Sequence, residues 1–340
     1  MKFLKFLLVL LVFPHLFAAE ITPKQIIIKT DAELQSKTSF QNNKINQMLA
    51  EYSVHNIETI LPQLGNYYLI EVADKIDWEK LQNSKPAIIE SMQPNYLNEM
   101  LLSPNDEMYG EQLSYFQSIN LPAAWNYSTG NGEISIGIVD SGIHFDHPDL
   151  TENIFINTNE IPYNGIDDDG NGYVDDWRGW DFTDAPELDY MASGDYIEQD
   201  NDPTDEYNHG THVAGIIAAD TNNKIGVSGV SWNNKILPVR AGFKTADGVS
   251  GYLQDDDAAA GIIYCAEMGM DIINCSWGSS EYSQIIADAC QYAYEKGSII
   301  VVSSGNTGQS GVWYPARLSS TIAVGAVDSY NQVAIFSTYG

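Results

Sequence analysis

A doubly wound, mainly parallel α/β sheet preceded by a small α+β unit is the architecture that this 340-residue sequence predicts. Three observations carry it. From residue 134 onward, short apolar runs alternate with helix-period segments. The first of these runs, Ile134–Val139, is apolar on both alternating faces, as in a strand covered on both sides. Before residue 100 the order is instead β-α-β-β-α-β.

In that first region Gln25–Lys29, Ile57–Leu61, Tyr67–Val72 and Ile88–Met92 read as strands, with helices around Phe40–Ala50 and Ile76–Gln82. This order is the ferredoxin-like arrangement. A linker rich in Pro, Asn and Asp, Gln93–Asp106, closes it. Strand Ile134–Val139 is followed by helix Gly210–Ala219, strand Lys235–Arg240 and helix Asp257–Met268, whose acidic first turn suits the positive end of the helix dipole. Strand Ile272–Cys275, helix Ser283–Lys296 and strands Ser298–Val302 and Thr321–Val327 complete the pattern.

The first residues stand apart. Lys2 and Lys5 precede the apolar run Phe6–Phe13, and small residues follow at Ala18 and Ala19. That is the layout of a secretory signal, residues 1–19, too short for a membrane anchor. No later segment is apolar enough to span a bilayer, so a secreted protein is expected, extracellular or at the cell surface. Acidic residues outnumber basic ones 46 to 16, for a formal charge of −30, which disfavours nucleic acid and anionic membranes as partners. Three cysteines, Cys265, Cys275 and Cys290, are too few for a dense disulfide framework and read as buried thiols, with a single disulfide as the alternative.

Chemistry in an open parallel sheet gathers beyond the carboxyl ends of the strands. Asp140 ends the first strand in Ile-Val-Asp-Ser-Gly-Ile; Ser276-Trp277-Gly278 and Gly305-Asn306 follow two others. His209 opens a helix in His-Gly-Thr-His-Val-Ala-Gly. A carboxylate, an imidazole and a side-chain amide on one edge make up most of an acyl-transfer site. His212, three residues along, is expected to point inward, and no His-Glu-x-x-His zinc spacing occurs.

These motifs resemble those of subtilisin-like serine proteases, the subtilases: Asp140-Ser-Gly with His147-Pro-Asp-Leu, then His209-Gly-Thr-His-Val-Ala-Gly, then Ser304-Gly-Asn306, in that order. The order acid, base, serine in that family is established. The resemblance covers about Pro104–Gly340 and implies a subtilisin-like catalytic domain, residues 101–340, preceded by a propeptide, residues 20–100, that folds and inhibits it. It implies that His209 is the general base, that Asp140 orients it and that Asn306 is the oxyanion donor. Ser250-Gly251-Tyr252 and Ser276-Trp277-Gly278, with Gly305, resemble the segments that hold a peptide as an added strand. Thr307 and Ala316, near the expected primary pocket, carry no charge, so a large or apolar side chain is expected there. The family's Gly-Thr-Ser turn does not occur; the expectation is a chain that stops before its nucleophile and is inactive as it stands. Protein or peptide substrates, the chain's own propeptide and a monomeric state complete the expected partners.

Calcium is the expected cofactor, with no organic one. Asp167-Asp-Asp169-Gly-Asn171-Gly resembles the front half of an EF-hand loop, with Asp175 or Asp176 closing the shell because Arg178 replaces the usual Glu. The family resemblance implies two more sites. One uses Asp149 and Asn223 with the carbonyls of Thr221, Ile225 and Val227; the other uses Asp181, Asp200 and Asp202. Two rival readings remain at this point: a catalytically dead subtilase-like binding domain, and a calcium-dependent adhesion module suggested by the acidic loops alone.

Overall fold

The computed structural model describes residues 21–97, 102–185 and 191–340; the expected signal segment lies outside them. The chain divides into two compact units, Met1–Met100 and Leu101–Gly340. In the first, strands β1 (Ile21–Thr30), β2 (Val54–Ile60), β3 (Tyr67–Val72) and β4 (Ile89–Tyr96) form one antiparallel sheet in the order β2-β3-β1-β4. Period-two alternation places Ile26, Ile28, Ile70 and Val72 in the core, under Ile45 and Leu49 of helix α1 (Asn43–Leu49) and Leu81 of α2 (Trp78–Asn83). Asn42 and Asp77 cap the two helices through their side-chain oxygens. Strand β4 runs to Tyr96, four residues into the expected linker, because Gln93 and Pro94 pair with Ile27 and Ile26.

In the second unit, six parallel strands form the central sheet: β5 (Ser135–Asp140), β6 (Trp180–Asp181), β7 (Lys235–Arg240), β10 (Ile272–Cys275), β11 (Ile299–Ser303) and β12 (Thr321–Val324). Their order is β12-β11-β10-β5-β7-β6. Helices cover both faces. Ile136 and Ile138 of β5 pack with Ala214 and Ala218 of α4 (His209–Ala218), while Val139 packs on the other face with Ala258 and Ile262 of α5 (Asp255–Glu267). Helix α6 (Gln284–Lys296) adds Ile286, Ala289 and Ala293 to that second face. Gly137 is required there: a Cβ would lie 2.3 Å from the Cys265 sulfur. Cys265, Cys275 and Cys290 are free and buried, and burial pushes their thiols up.

Among the elements that escaped the sequence reading are α3 (Tyr109–Ser118), the two-residue β6, and the hairpin of β8 (Gly242–Lys244) with β9 (Gly251–Leu253). The chain runs from β5 to β7 on one side and then crosses back to β10 on the other. The sheet therefore reverses its winding between β5 and β10, and in open α/β sheets the crevice beyond such strand ends is the usual place for a ligand. Among the described residues no helix is long and apolar enough to cross a membrane.

Candidate active site

Asp140 is the last residue of β5, beside the point where the sheet reverses. Its carboxylate is 3% exposed, and Oδ1 lies 2.7 Å from Nδ1 of His209 at the start of α4. The same oxygen accepts the backbone N–H of Ser141 at 2.7 Å, while Oδ2 has no hydrogen-bond partner among the described residues. The bond to Asp140 raises the imidazole above its usual range, against an opposing effect of burial. The His209 ring is part-exposed and stacks at 18° on the Tyr207 ring. Its Nδ1 thus faces the carboxylate, which leaves Nε2 as the atom for a proton exchange.

Sequence reasoning missed the residue that sets this geometry. Asp205 is 2% exposed, and its carboxylate accepts five hydrogen bonds. Ser141 Oγ, Tyr207 N and Asn208 N donate to Oδ1 at 2.9, 2.8 and 2.8 Å; Thr211 N and Oγ1 donate to Oδ2 at 2.9 and 2.6 Å. Ser141 Oγ in turn accepts the N–H of Gly210 at 3.0 Å. One buried acid therefore ties the turn after β5 to the turn that presents His209. The two turns also press together at Gly210, where a Cβ would sit 2.1 Å from the Gly142 carbonyl oxygen.

His212 is exposed, contrary to expectation. Helix α4 buries Gly210, Ala214 and Ala218, a stripe at intervals of four, and residue 212 falls on the far side of it. With His144 and His147 it lines a separate cleft.

Asn306 follows β11, with its side chain exposed and no hydrogen-bond partner among the described residues. A cavity of about 450 Å³ brings together Gly251, Tyr252, Trp277 and Gly278 with Trp313 and Tyr314. The Trp277 indole is anchored by a 2.8 Å bond from Nε1 to the Val139 carbonyl. Ser250 lines a neighbouring hollow instead, Ser276 is bonded to the Asn274 amide, and Gly305 lies against the Trp313 ring. Of the expected pocket residues, Ala316 is buried in the core and Thr307 Oγ1 lies 2.9 Å from Thr338 Oγ1.

The family to which this arrangement belongs is decided by comparison. The Subtilase family model matches residues 131–340. This chain is a subtilase. It is similar to a thermophilic serine proteinase of Bacillus sp. (strain AK1), 32% identical over 88% of this chain and 60% of that protein. Thermitase of Thermoactinomyces vulgaris is 32% identical over 70% of each chain. A halolysin-like extracellular serine protease, Nep, of Natrialba magadii is 36% identical over 74% of this chain and 40% of its own length. The chain thus spans 60% and 40% of two of these relatives. A solved protease structure from Pseudoalteromonas arctica PAMC 21717 aligns with TM-score 0.55 and 27% identity over 70% of both chains.

Carboxylates of this subtilase gather in several places. Glu160, Asp169 and Asp176 bring ligand oxygens within 4.8 Å of one another, and none of the three forms an ion pair among the described residues. Glu160 was not anticipated. Asp176 is fully buried and closes this group, whereas Asp175 accepts the N–H groups of Asn164 and Gly165. Asp167 accepts three backbone N–H groups, from Gly170, Asn171 and Gly172, and the Asn171 amide donates to Asp176. Arg178 stays out of the shell, its guanidinium 3.4 Å from the Phe145 ring centre.

Asp181 and Asp200 form a second group with Asp195 instead of Asp202, whose carboxylate accepts the Thr204 hydroxyl. Burial pushes Asp181 up to about 7, opposed by the Arg240 guanidinium 3.4 Å away. In the third, Asp149 holds the loop at 221–227 by accepting Asn223 Nδ2 at 2.8 Å and Val227 N at 2.9 Å. Around it Thr221 Oγ1 bonds the Ala219 carbonyl, and Ile225 N donates to Asn223 Oδ1. Buried Asp106, also unanticipated, accepts the N–H groups of Asn222 and Asn223 and the Ser228 hydroxyl from the other side.

Proposed function

We propose that this chain carries the base, the orienting acid and the oxyanion donor of a secreted, calcium-stabilised serine endopeptidase. The observation behind this reading is the 2.7 Å Asp140–His209 pair at the rim of a parallel sheet. His209 takes the proton of an attacking serine hydroxyl through Nε2 and returns it to the leaving amine. Asp140 holds Nδ1 protonated and stabilises the imidazolium. Asn306, exposed beyond β11, donates its amide N–H to the tetrahedral oxyanion. Among the described residues no serine is hydrogen-bonded to His209, so this reading requires a hydroxyl from outside them. Residues 1–19 direct export, and residues 20–100 form a ferredoxin-like propeptide. A peptide lies extended between the Ser250–Tyr252 and Ser276–Gly278 segments, paired through its backbone. The protein acts as a monomer on protein or peptide substrates, without nucleic acid or a membrane span.

The cavity beside Trp277 is walled by Trp313, Tyr314, Ile286 and Leu318, which favours a large apolar side chain, although Asp255 and Glu281 also line it. The test is to express the gene with its downstream segment, label with a fluorophosphonate and compare Phe- with Arg-terminated peptide anilides. The extended protein is expected to label at one serine and to prefer Phe; the 340-residue chain is expected not to label. No labelling of the extended protein would leave a binding domain in place of a protease. Labelling with a strong Arg preference would move specificity to Asp255 and Glu281.

Calcium at the three acidic sites would account for carboxylates gathered against their mutual repulsion, with no ion pair for Glu160, Asp169 and Asp176 among the described residues and Arg240 alone beside Asp181. The donors fit it: carboxylate, amide and carbonyl oxygens, with no thiolate or imidazole. The ions would hold the loops at 160–176, 181–200 and 221–227 in place. A site at a hundredfold excess of ion over Kd contributes about 2.7 kcal/mol, or roughly 5–11 °C of Tm for a unit of this size. Excess EDTA is therefore expected to lower Tm by at least that amount in a thermal scan; an unchanged Tm would rule calcium out.

A further inference from the structure

We propose that Asp184, Asp256 and Asp257 form an additional divalent-cation site that pins the first turn of α5 to the segment following β6. One carboxylate oxygen from each residue lies within 4.8 Å of those of the other two. Asp256 and Asp257 sit in the first turn of α5, where the helix dipole stabilises negative charge. That accounts for the acids on the helix; the third, Asp184, comes from another segment and donates its backbone N–H to the Asp257 carboxylate, which brings its own negative side chain up to the other two. Among the described residues no Lys or Arg pairs with any of the three, and the one side-chain donor to Asp184 is the neutral Gln199 amide at 2.8 Å.

The second observation is at Asp257. The residue is 2% exposed, and its Oδ2 has no hydrogen-bond partner among the described residues. A buried, unpaired carboxylate oxygen beside two other acids is costly unless a cation neutralises it. Burial, with the nearby charges of Asp184, Asp256 and Asp181, pushes this carboxyl up to about 7. Asp184 and Asp256 are exposed, so an ion reaches the group from solvent and keeps part of its water shell. Hard carboxylate donors in an irregular, open geometry suit Ca²⁺, which takes six to eight oxygens, better than Mg²⁺, which requires a near-ideal octahedron.

The site has a structural consequence. Helix α5 begins two residues after β9, the strand that carries Gly251 and Tyr252, and Gln254 and Asp255 line the same cavity. An ion at the helix start fixes that wall. The inference does not depend on proteolysis, since it is read from the 340-residue chain alone.

The test is calcium binding by equilibrium dialysis with radioactive Ca²⁺ at neutral pH, using the 340-residue chain and its Asp257→Asn and Asp256→Asn variants. Asp257→Asn is expected to bind one ion fewer than the parent. Asp256→Asn is expected to keep that ion with roughly tenfold weaker affinity. In EDTA, Asp257→Asn should melt above the parent, because a repulsive charge is gone, and it should gain less from added Ca²⁺. If Asp257→Asn does not fold, exposed Asp256→Asn and Asp184→Asn decide. Unchanged stoichiometry and affinity in the variants that fold would overturn the proposal.

Discussion

Replacing Asp205 with alanine is expected to lower Tm of the 340-residue chain by roughly 6–12 °C and to loosen the Asp140–His209 pair. The carboxylate accepts five hydrogen bonds, and it is buried, so water cannot replace it at all of them. A hydrogen bond to a charged group contributes about 1.5–3 kcal/mol, and a buried donor left unsatisfied costs about 1–3 kcal/mol. The five share one acceptor and do not add, so a loss of about 3 kcal/mol is a conservative figure; a unit of this size loses roughly 2–4 °C per kcal/mol. A second readout separates positioning from bulk stability. Asp205 also raises the His209 imidazole through its charge, a smaller effect than that of Asp140. The His209 titration, followed by NMR of the ring protons, should therefore move down in Asp205→Ala. A Tm within 2–3 °C of the parent, or about 1 kcal/mol, together with an unmoved imidazole, would show that the turn holds itself.

Asp140 and His209 were legible because each lies in a local pattern at an element boundary: an apolar strand ending in an acid, and a glycine-bracketed histidine opening a helix. Their meeting at the sheet rim followed from strand alternation alone. Asp205 was not legible. It sits four residues before His209 in an acidic stretch and acts through Ser141, which is 64 residues away. Nothing in the spacing distinguishes it from Asp202, which is exposed and holds only a nearby threonine. Glu160 and Asp106 were missed for the same reason: Glu160 meets Asp169 and Asp176 across a loop, and Asp106 meets Asn222, which is 116 residues away. Strand β6 has two residues, too few for any periodicity to register. His212 was misplaced because three residues is nearly a helical turn; the stripe of small residues at 210, 214 and 218, not the distance from His209, sets the buried face.

Asp140→Asn in the protein extended past residue 340 is expected to reduce kcat by about 10⁴-fold with the fold intact; that is the loss for the same exchange in a triad on an unrelated fold. The cause is tautomeric. Asp140 Oδ1 accepts the Ser141 N–H and faces His209 Nδ1, both at 2.7 Å, so an asparagine that turns its nitrogen to the ring gives up the Ser141 N–H. Its amide then donates to His209 Nδ1, which forces the ring proton onto Nε2 and removes the base. The variant should also titrate differently, which is measurable without any nucleophile. In the parent, the bond to Asp140 raises the His209 pKa above 6.5. A group with a raised folded pKa adds stability that is fully present below its unfolded pKa and is lost as pH rises through the folded one. The Tm gap between parent and Asp140→Asn should therefore be widest in mild acid and narrow as pH rises past the His209 pKa. The imidazole of the variant should titrate lower than that of the parent. If activity fell while the titration stayed where it was, Asp140 would be acting on something other than the ring. If neither changed, the pair at the sheet rim would be a strand-end contact with no role in proton transfer.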